Sequence, residues 1–516
     1  MRWSIVGLVG TIPKLTSACT TLAVTPGASA TGSTFATHTN DWGSDPSPGK
    51  LTLAPRAEYT LPVNRSTSGG SIPQVAATFQ YFTEGYGSLN EFQVGVAEST
   101  CSSKAFPGAP PNHGMLNIVD LSKIVLERAT TAREGVAIMG SLAEEYGYKD
   151  AAESLLVVDP SEVWVFHIFE GNLSVGALWA AQRIPDGTMA AVTNGFSIRE
   201  INFEDSENFL TSQTVDLRDA AAAAGWWTKG ETFDFTAAFA EGSGPLYAVG
   251  RRMWRIYSLL APESPLSPDY DDYILDAPYP TFLAASNITR NDIFGVMRDF
   301  YNGTEYALNA GMAGGYYGSP DRWNSASPVT GAWERAISLF RSEVSLVLEL
   351  RSFLPRGLGL VWFTTNSGHT GTYVPLAVGM SQLPACVTNG TSWAALERWS
   401  IPWAVRYLNQ ILQIRFDFMY EVFSAARLSF ENNTAALLRD LEARYTGDDA
   451  ALLDTALGER ADQAVSWLWA QSEALVVAFA NNGGKGYPGW WLESGEVGYE
   501  DGPVGRYVSR KQTSSF

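Results

Sequence analysis

Cys19 is the residue whose position most favours covalent chemistry, because removal of the first eighteen residues would make it the N-terminus. A freed α-amine has a reference pKa of about 7.7–8.0, so much of it is neutral near physiological pH. It can then take the thiol proton directly or through a water, as the amine of an N-terminal threonine does. Such a nucleophile needs no histidine. Composition alone leaves an inert, buried cysteine as the alternative.

The usual sequence signatures of metal and phosphate chemistry are missing. The four histidines (His38, His113, His167 and His369) are scattered, and no His-x-x-x-His or Cys-x-x-Cys spacing occurs. This pattern predicts no zinc site, and we expect no cofactor. The Gly-rich stretch at 311–318 lacks the Gly-Lys-Ser/Thr ending of a P-loop, and no Gly-x-Ser-x-Gly elbow is present. Cys19 is therefore the leading candidate for a reactive group.

Residues 1–18 are predicted to be a signal peptide or a short propeptide. Arg2 gives a positive start, residues 3–9 form a short apolar run, and Thr16 and Ala18 place small residues before a cut. A signal peptide predicts a secreted or lumenal, lysosome-like location, and a propeptide predicts a cytoplasmic one. Six Asn-x-Ser/Thr sequons favour a secreted glycoprotein. They are Asn64, Asn172, Asn287, Asn302, Asn389 and Asn432.

Composition narrows the range of partners. The 516-residue chain has a formal charge of −19, which repels phosphate backbones. The pair Arg251-Arg252 is too short for a basic patch, so no nucleic-acid partner is expected. The apolar stretch at 464–480 is interrupted by polar residues at 471–473 and predicts a buried helix, not a membrane span. The sequence leaves open whether the protein forms a homo-oligomer.

The other two cysteines leave two alternatives open. Cys101 and Cys386 would pair in an oxidising compartment, or both would stay as buried free thiols. In the first case Cys19 is the odd thiol, a pattern that points to reactivity.

The elements around Cys19 must place it at the end of a strand. Residues 20–24 and 33–38 predict two strands joined by a turn. Helical periodicity covers residues 122–146. Other apolar runs predict strands at 92–97, 155–158, 163–168, 189–194, 359–364 and 372–378, and long amphipathic helices are predicted at 393–444 and 450–481.

These patterns predict an α+β protein in four parts. The leader covers residues 1–18, and a mixed core covers 19–390. A helical portion, 391–482, is expected to pack on that core. An irregular tail follows at 483–516.

Short motifs in a fixed order give a more specific signal. CTTLAV at 19–24, ASATGST at 28–34 and HTND at 38–41 resemble the start of the family C69 dipeptidases. These are N-terminal-nucleophile (Ntn) hydrolases related to the secernins, penicillin V acylase and bile-salt hydrolase. The similarity continues to about Val378. Later matches include GVAESTC at 95–101, DPSEVW at 159–164, AAQRIPD at 180–186, TN at 193–194 and ERAIS at 334–338.

The resemblance implies a fold, an activity and a set of roles. The fold would be a four-layer αββα sandwich over 19–390 with additional C-terminal helices, and the substrates short peptides, chiefly dipeptides. Cys19 would be the nucleophile, and Asp41 would hold its α-amine. Asn194 would be an oxyanion-hole amide. Arg335 falls where an arginine near the nucleophile is expected.

Three further residues are predicted to contact the substrate: His38, Glu98 and Ser99. His38 falls where the bile-salt hydrolases carry an arginine, three residues before Asp41. The second oxyanion asparagine of those relatives has no equivalent in 98–100, so backbone N–H groups are expected to serve instead.

Five of these residues also have an ordinary structural explanation. Asp41 and Asn194 fit turns, Glu98 fits a buried structural acid, and His38 fits an outward-facing strand position. Arg335 fits a surface helix.

Two other functions also stay open. One is an N-acyl amidase of the same superfamily, and the other is a secernin-like, non-hydrolytic protein that acts through binding partners.

Overall fold

The computed structural model describes residues 19–41, 48–106, 114–171, 176–242, 248–264, 266–269, 279–321, 334–390 and 392–482, with the backbone of two short strands near the C-terminus. The strands, numbered in chain order, are β1 (Thr21–Val24), β2 (Thr34–Asp41), β3 (Thr52–Ala54), β4 (Ala57–Glu58), β5 (Asn64–Thr67), β6 (Gly70–Pro73), β7 (Ala77–Thr78), β8 (Tyr81–Thr83), β9 (Leu89–Asn90), β10 (Gly95–Cys101), β11 (Ala152–Val158), β12 (Val163–Glu170), β13 (Ala177–Arg183), β14 (Thr188–Val192), β15 (Phe209–Thr211), β16 (Leu283–Ala284), β17 (Ser342–Leu350), β18 (Leu360–Thr365), β19 (Val374–Ala377), β20 (Gly498–Tyr499) and β21 (Tyr507–Val508). The α-helices are α1 (Ile118–Arg128), α2 (Ala132–Tyr146), α3 (Leu217–Ala223), α4 (Phe235–Phe239), α5 (Gly250–Leu260), α6 (Arg290–Met297), α7 (Gly311–Gly314), α8 (Ala385–Thr388), α9 (Ile401–Leu412), α10 (Phe416–Arg444) and α11 (Ala450–Asn482).

Two large antiparallel sheets form the centre of the molecule. Within the described residues, the first sheet has seven strands in the order β16-β14-β1-β2-β17-β18-β19. The second has eight strands in the order β15-β13-β12-β11-β10-β9-β8-β3. Strands β1, β2 and β14 of the first sheet lie against β10 and β11 of the second. The mixture of helices and antiparallel sheets confirms the predicted α+β class.

Alternation along the strands of the second sheet explains how both of its faces are covered. In β11, Leu156 and Val158 join the hydrophobic core shared with the first sheet. Leu155 and Val157 point the other way, into a second core with α1 and α2. Successive side chains of a strand face opposite sides, so a continuous apolar run fits a sheet buried on both faces.

The helix predicted at 122–146 is divided into two in the structure. Residues 122–146 were predicted as one helix, but α1 ends at Arg128 and α2 begins at Ala132. Ala129 is extended, and the Thr131 side chain accepts a hydrogen bond from the backbone N–H of Glu134. The N-cap bond to Thr131 competes with helix continuation, so the single-helix prediction is wrong there.

The C-terminal helices pack on the first sheet. α11 contacts β19 and α9, and α9 contacts β18. The predicted helix at 393–444 is divided, because α9 starts at Ile401 and residues 413–415 separate it from α10. Among the helices of the described residues, none is long and apolar enough to cross a membrane. The predicted leader, 1–18, lies outside the described residues, as does the predicted tail, 483–516, apart from β20 and β21.

Candidate active site

Cys19 lies two residues before the start of β1, where three strands of the first sheet lie side by side. Because neighbouring strands are antiparallel, the N-terminal end of β1 is flanked by the C-terminal ends of β2 and β14. β2 ends at Asp41, and β14 is followed by Thr193 and Asn194. Cys19 is fully buried. The strand order therefore brings Cys19, Asp41 and Asn194 to the same end of the sheet.

The thiol of Cys19 belongs to a buried chain of ionisable groups. Its Sγ donates a hydrogen bond to Oε2 of Glu98 at 3.2 Å, and Nε2 of His38 lies 3.4 Å from the same oxygen. Nδ1 of His38 lies 3.1 Å from Oε1 of Glu84, and the side chains of Glu84 and Glu98 are both fully buried. These contacts join Glu84, His38, Glu98 and Cys19 into one buried cluster.

This environment shifts the pKa values of several groups. Burial and the Glu98 carboxylate raise the pKa of Cys19 to about 12. Burial alone would lower the pKa of His38, but Glu84 and hydrogen bonds to Cys19 and Glu98 raise it well above its usual value. Burial and Glu98 raise the pKa of Glu153, which neighbours Glu98. The sulfur is therefore held as a thiol in this structure, and an attack by Cys19 requires a base.

Asp41 forms a second cluster of polar contacts near Cys19. Nη2 of Arg335 donates to Oδ2 of Asp41 at 2.8 Å, and the hydroxyl of Ser342 donates to Oδ1 at 2.5 Å. The side chain of Asp41 is fully buried, and its charge acts on the Cys19 thiol. A carboxylate in this position is suited to bind an ammonium group.

Asn194 connects the two sheets beside Cys19. Its backbone N–H donates to Oγ of Ser99 at 2.9 Å, and that hydroxyl donates to the carbonyl oxygen of Cys19 at 3.2 Å. Its side-chain amide donates to the carbonyl oxygen of Thr100 at 2.6 Å. The backbone of Asn194 has a φ of 69°, a left-handed conformation that asparagine tolerates better than most residues. Asn194 and Ser99 thus fix the backbone at Cys19.

Arg252 is a site residue that the sequence did not reveal. This fully buried side chain of α5 donates through Nη1 to the carbonyl oxygen of Cys19 at 2.9 Å and to Oγ1 of Thr20 at 2.7 Å. Its Nη2 donates to the carbonyl oxygen of Thr193 at 3.1 Å and to Oδ1 of Asn194 at 2.6 Å. The guanidinium is a rigid fork of donors, so one side chain positions both ends of the site.

The segment that carries Asn194 is anchored by His167 of β12. Nε2 of His167 accepts hydrogen bonds from the backbone N–H groups of Ser197 at 2.9 Å and Ile198 at 3.0 Å. The hydroxyl of Ser154 donates to the carbonyl oxygen of Gly195 at 3.1 Å. An imidazole nitrogen that accepts cannot carry a proton, and burial lowers the pKa of His167 to about 3. The folded state therefore holds His167 neutral.

Acidification should accordingly weaken the fold through His167. The folded pKa of about 3 lies below the unfolded value of about 6.5, so the unfolded chain takes up the proton first. The contribution of neutral His167 to the free energy of unfolding is therefore complete above a pH of about 6.5 and is lost progressively down to a pH of about 3. At pH 5 the loss amounts to about 2 kcal/mol.

A His167→Gln variant should remove that loss, because the glutamine oxygen can accept but does not titrate. Urea unfolding at pH 7.5 and at pH 5 measures the difference in both proteins. His369, whose pKa is lowered by burial to about 4, contributes equally to both, so the comparison isolates His167. Equal pH dependence in the two proteins would refute the prediction.

The structure brings all seven predicted site residues into this region. Cys19, Glu98, Ser99, His38 and Asp41 are buried, and Asn194 and Arg335 complete the contacts between them. His38 does not face outward, and Arg335 is not a surface-helix cation, because its side chain is only 12% exposed. The catalytic roles of Cys19, Asp41, Asn194 and Arg335, and the substrate contacts assigned to His38, Glu98 and Ser99, stay predictions.

The remaining sequence predictions concern thiols and sequons. All three cysteines are described, and Cys101 and Cys386 are buried free thiols, not a disulfide. Asn172 lies outside the described residues. The other sequon asparagines are exposed, as glycan attachment requires, although glycosylation itself stays a prediction. They are Asn64, Asn287, Asn302, Asn389 and Asn432.

Comparison with known proteins places this arrangement in a family. The model of peptidase family C69 matches residues 18–428, which include every predicted catalytic residue. The chain therefore belongs to peptidase family C69. It is accordingly a peptidase, a hydrolase of amide bonds.

Individual relatives of the chain carry names that are consistent with a peptidase family. A probable dipeptidase of Latilactobacillus sakei is 23% identical over 90% of this chain and 92% of its own length. A probable dipeptidase A of Streptococcus pyogenes serotype M3 is 25% identical over 72% of this chain and 78% of its own. The structure of penicillin V acylase from Agrobacterium tumefaciens covers 71% of this chain and 87% of its own at 15% identity. Its TM-score of 0.31 is too low for that likeness to support any conclusion here.

Proposed function

We propose that this chain is a cysteine dipeptidase whose nucleophile is Cys19, exposed as the N-terminus by removal of residues 1–18. The substrates are short peptides, chiefly dipeptides, as the names of the C69 relatives suggest. The observation that carries the proposal is the meeting of Cys19 with Asp41, Asn194 and Arg335 at one end of the first sheet. Four distant parts of the sequence contribute to this one cluster.

The reaction follows from the groups around Cys19. The α-amine of Cys19 takes the thiol proton as the sulfur attacks the peptide carbonyl carbon. Asn194 and backbone N–H groups stabilise the oxyanion, a contribution of roughly 3–4 kcal/mol for one good donor. The C–N bond then breaks, and the ammonium returns the proton to the leaving amine. Water, activated by the same amine, attacks the thioester and releases the acid with the thiol restored.

Two features of the site support this division of roles. The Cys19 thiol is not acidic enough to ionise unaided, which fits a base placed on the same residue. Asp41 is buried with Arg335 and Ser342 next to the strand that follows Cys19, where a carboxylate can orient a new ammonium group. Arg252 acts as a positioning residue, because it holds the Cys19 carbonyl and Asn194 together.

The proposed fold is the four-layer αββα sandwich of the N-terminal-nucleophile hydrolases, with added C-terminal helices. The supporting observation is the order of contacts. Helices α1 and α2 pack on the second sheet, the two sheets pack on each other, and α5, α6, α9 and α11 contact strands of the first sheet.

A comparison of substrates tests the proposed specificity. Purified enzyme should cleave free dipeptides with a kcat/KM at least about 10²-fold above that for N-acylated amides. The reason is that a dipeptidase must offer polar groups to the free ammonium of its substrate, and an N-acylated amide would leave those groups unpaired. A Cys19→Ala preparation measures contaminating peptidases. A preference for N-acyl amides would replace the dipeptidase by an N-acyl amidase.

A further inference from the structure

We propose that the cluster of Cys19, His38 and Glu98 is also a binding site for zinc, or a similar thiophilic divalent cation, and that the bound ion reversibly blocks the peptidase. The three side chains come from the start of β1, from β2 and from β10, which belongs to the other sheet. No local spacing in the sequence signals such a site. The inhibitory part of this inference rests on the proposed function of Cys19, whereas the binding part does not.

The distances fit a tetrahedral ion. Sγ of Cys19, Nε2 of His38 and an oxygen of Glu98 lie within 4.8 Å of one another. The sulfur and the nitrogen lie 3.2 Å and 3.4 Å from Oε2 of Glu98. Zinc bound to sulfur at about 2.3 Å and to nitrogen and oxygen at about 2.0–2.2 Å holds its ligand atoms about 3.3–3.7 Å apart. The sulfur-to-oxygen and nitrogen-to-oxygen separations thus lie within a few tenths of an ångström of the values for a bound ion, and the 4.8 Å limit allows the sulfur and the nitrogen to close around it.

The ligand types select the metal. Thiolate and imidazole favour zinc and related soft or borderline cations, whereas magnesium and calcium prefer oxygen ligands only. One sulfur, one nitrogen and one carboxylate oxygen make a three-ligand set with a fourth position open. In the mature protein the α-amine of Cys19 could fill it, because amine and sulfur of one N-terminal cysteine can close a five-membered chelate ring.

Glu84 is the second, independent observation. Its carboxylate is fully buried and lies 3.1 Å from Nδ1 of His38, on the side of the ring opposite to Glu98. Neither carboxylate oxygen makes a well-aligned hydrogen bond. A carboxylate behind a histidine is the usual partner of a metal-binding imidazole, since it fixes the ring with Nε2 free for the metal. Glu84 and Glu98 thus place two buried carboxylates around one imidazole, an arrangement that favours positive charge at this position.

Binding exchanges protons for the ion. The thiol proton of Cys19, and the Nε2 proton of His38 where present, leave to solvent as the S–Zn and N–Zn bonds form. No electron is transferred, so a chelator reverses the reaction. Coordination withdraws electron density from the sulfur and lowers its nucleophilicity, and an α-amine bound to the ion can no longer act as the base.

Cobalt(II) absorption provides a direct test on the mature protein. With a metal-free phosphine reductant present, cobalt should bind at one equivalent per chain and give a thiolate-to-cobalt charge-transfer band. Zinc should displace the cobalt and abolish dipeptide hydrolysis in proportion to its occupancy, and a chelator that removes the zinc should restore hydrolysis. The matched control is Cys386→Ser, which removes another buried thiol, in the short helix α8. This variant should bind cobalt as the wild type does.

Variants around the cluster separate the site from other thiols. Cys19→Ser should lose the charge-transfer band, and His38→Gln should lose the tight binding. Glu84→Gln keeps all three ligands and should weaken zinc binding by about 10–100-fold. Alkylation of Cys19 in wild-type protein should also remove the band, which covers the case of a misfolded variant.

The outcomes distinguish this inference from the proposed function. A wild-type protein that hydrolyses dipeptides but shows no thiolate–cobalt band overturns the metal site alone. A band that survives Cys19→Ser or alkylation of Cys19 overturns it too. A band that depends on Cys19 in a protein without peptidase activity supports the metal site and refutes the proposed function.

Discussion

A Cys19→Ala variant should lose at least about 10⁴-fold in kcat/KM for dipeptides, the scale expected when a covalent nucleophile is removed. No other group replaces the sulfur, because the nearest side chains, Glu98 and His38, are engaged with each other and with Glu84. The fold should survive. The change removes one buried atom and one hydrogen bond to Glu98, a cost of about 1–2 kcal/mol.

Cys386→Ala is the matched control for that experiment. Cys386 is also a buried free thiol, but it lies in α8, which packs on α9 and α11. Steady-state kinetics and urea unfolding of both variants separate chemistry from stability. A Cys19→Ala protein that is folded and retains more than a few per cent of wild-type kcat/KM would rule out Cys19 as nucleophile.

An Arg252→Lys variant should lower kcat by about 10²-fold and the free energy of unfolding by about 3–5 kcal/mol. Arg252 is fully buried and binds the Cys19 carbonyl and Asn194 with separate arms of its guanidinium. A lysine keeps the charge but not the fork, so it leaves buried acceptors unpaired, and each charged hydrogen bond contributes about 1.5–3 kcal/mol. A shift of about 1 Å at the nucleophile is enough for the kinetic loss.

Arg255→Lys offers a control one turn away on the same helix. Arg255 pairs with Asp299 and does not contact Cys19 or Asn194, according to the hydrogen bonds of the described residues. The Arg255→Lys variant should lose stability because its ion pair with Asp299 is weakened, but it should keep kcat close to the wild-type value. If Arg252→Lys loses stability but not kcat, Arg252 has a purely structural role and does not position the nucleophile.

The part of the site closest to Cys19 could be predicted from the sequence. Strands at 20–24 and 33–38 follow from apolar, β-branched runs around turn residues, and these runs became β1 and β2. The antiparallel pairing of those strands then places His38 and Asp41 near Cys19. Asn194 and Arg335 were found through motif order, since nothing in the local pattern ties them to Cys19.

The partners that reach the site from distant parts of the sequence could not be predicted, for physical reasons. Arg252 sits in a basic pair that the sequence shows only to be too short for a nucleic-acid-binding patch, whereas burial in α5 makes it a positioning group. Glu84 precedes a loop and carries no signal of its pairing with His38. β17, the neighbour of β2, was not predicted, although its start supplies Ser342 to Asp41. A hydrophobic pattern indicates which face of a strand is buried, but not which strand lies beside it.

The mass of the N-terminal peptide of the active enzyme tests the central claim most directly. Protein purified through its dipeptidase activity should begin at Cys19 with a free α-amine. Alkylation of that same peptide should proceed in step with the loss of activity. Fully active protein that still carries residues 1–18, or whose α-amine is blocked, would contradict the account, because the proposed base would not exist.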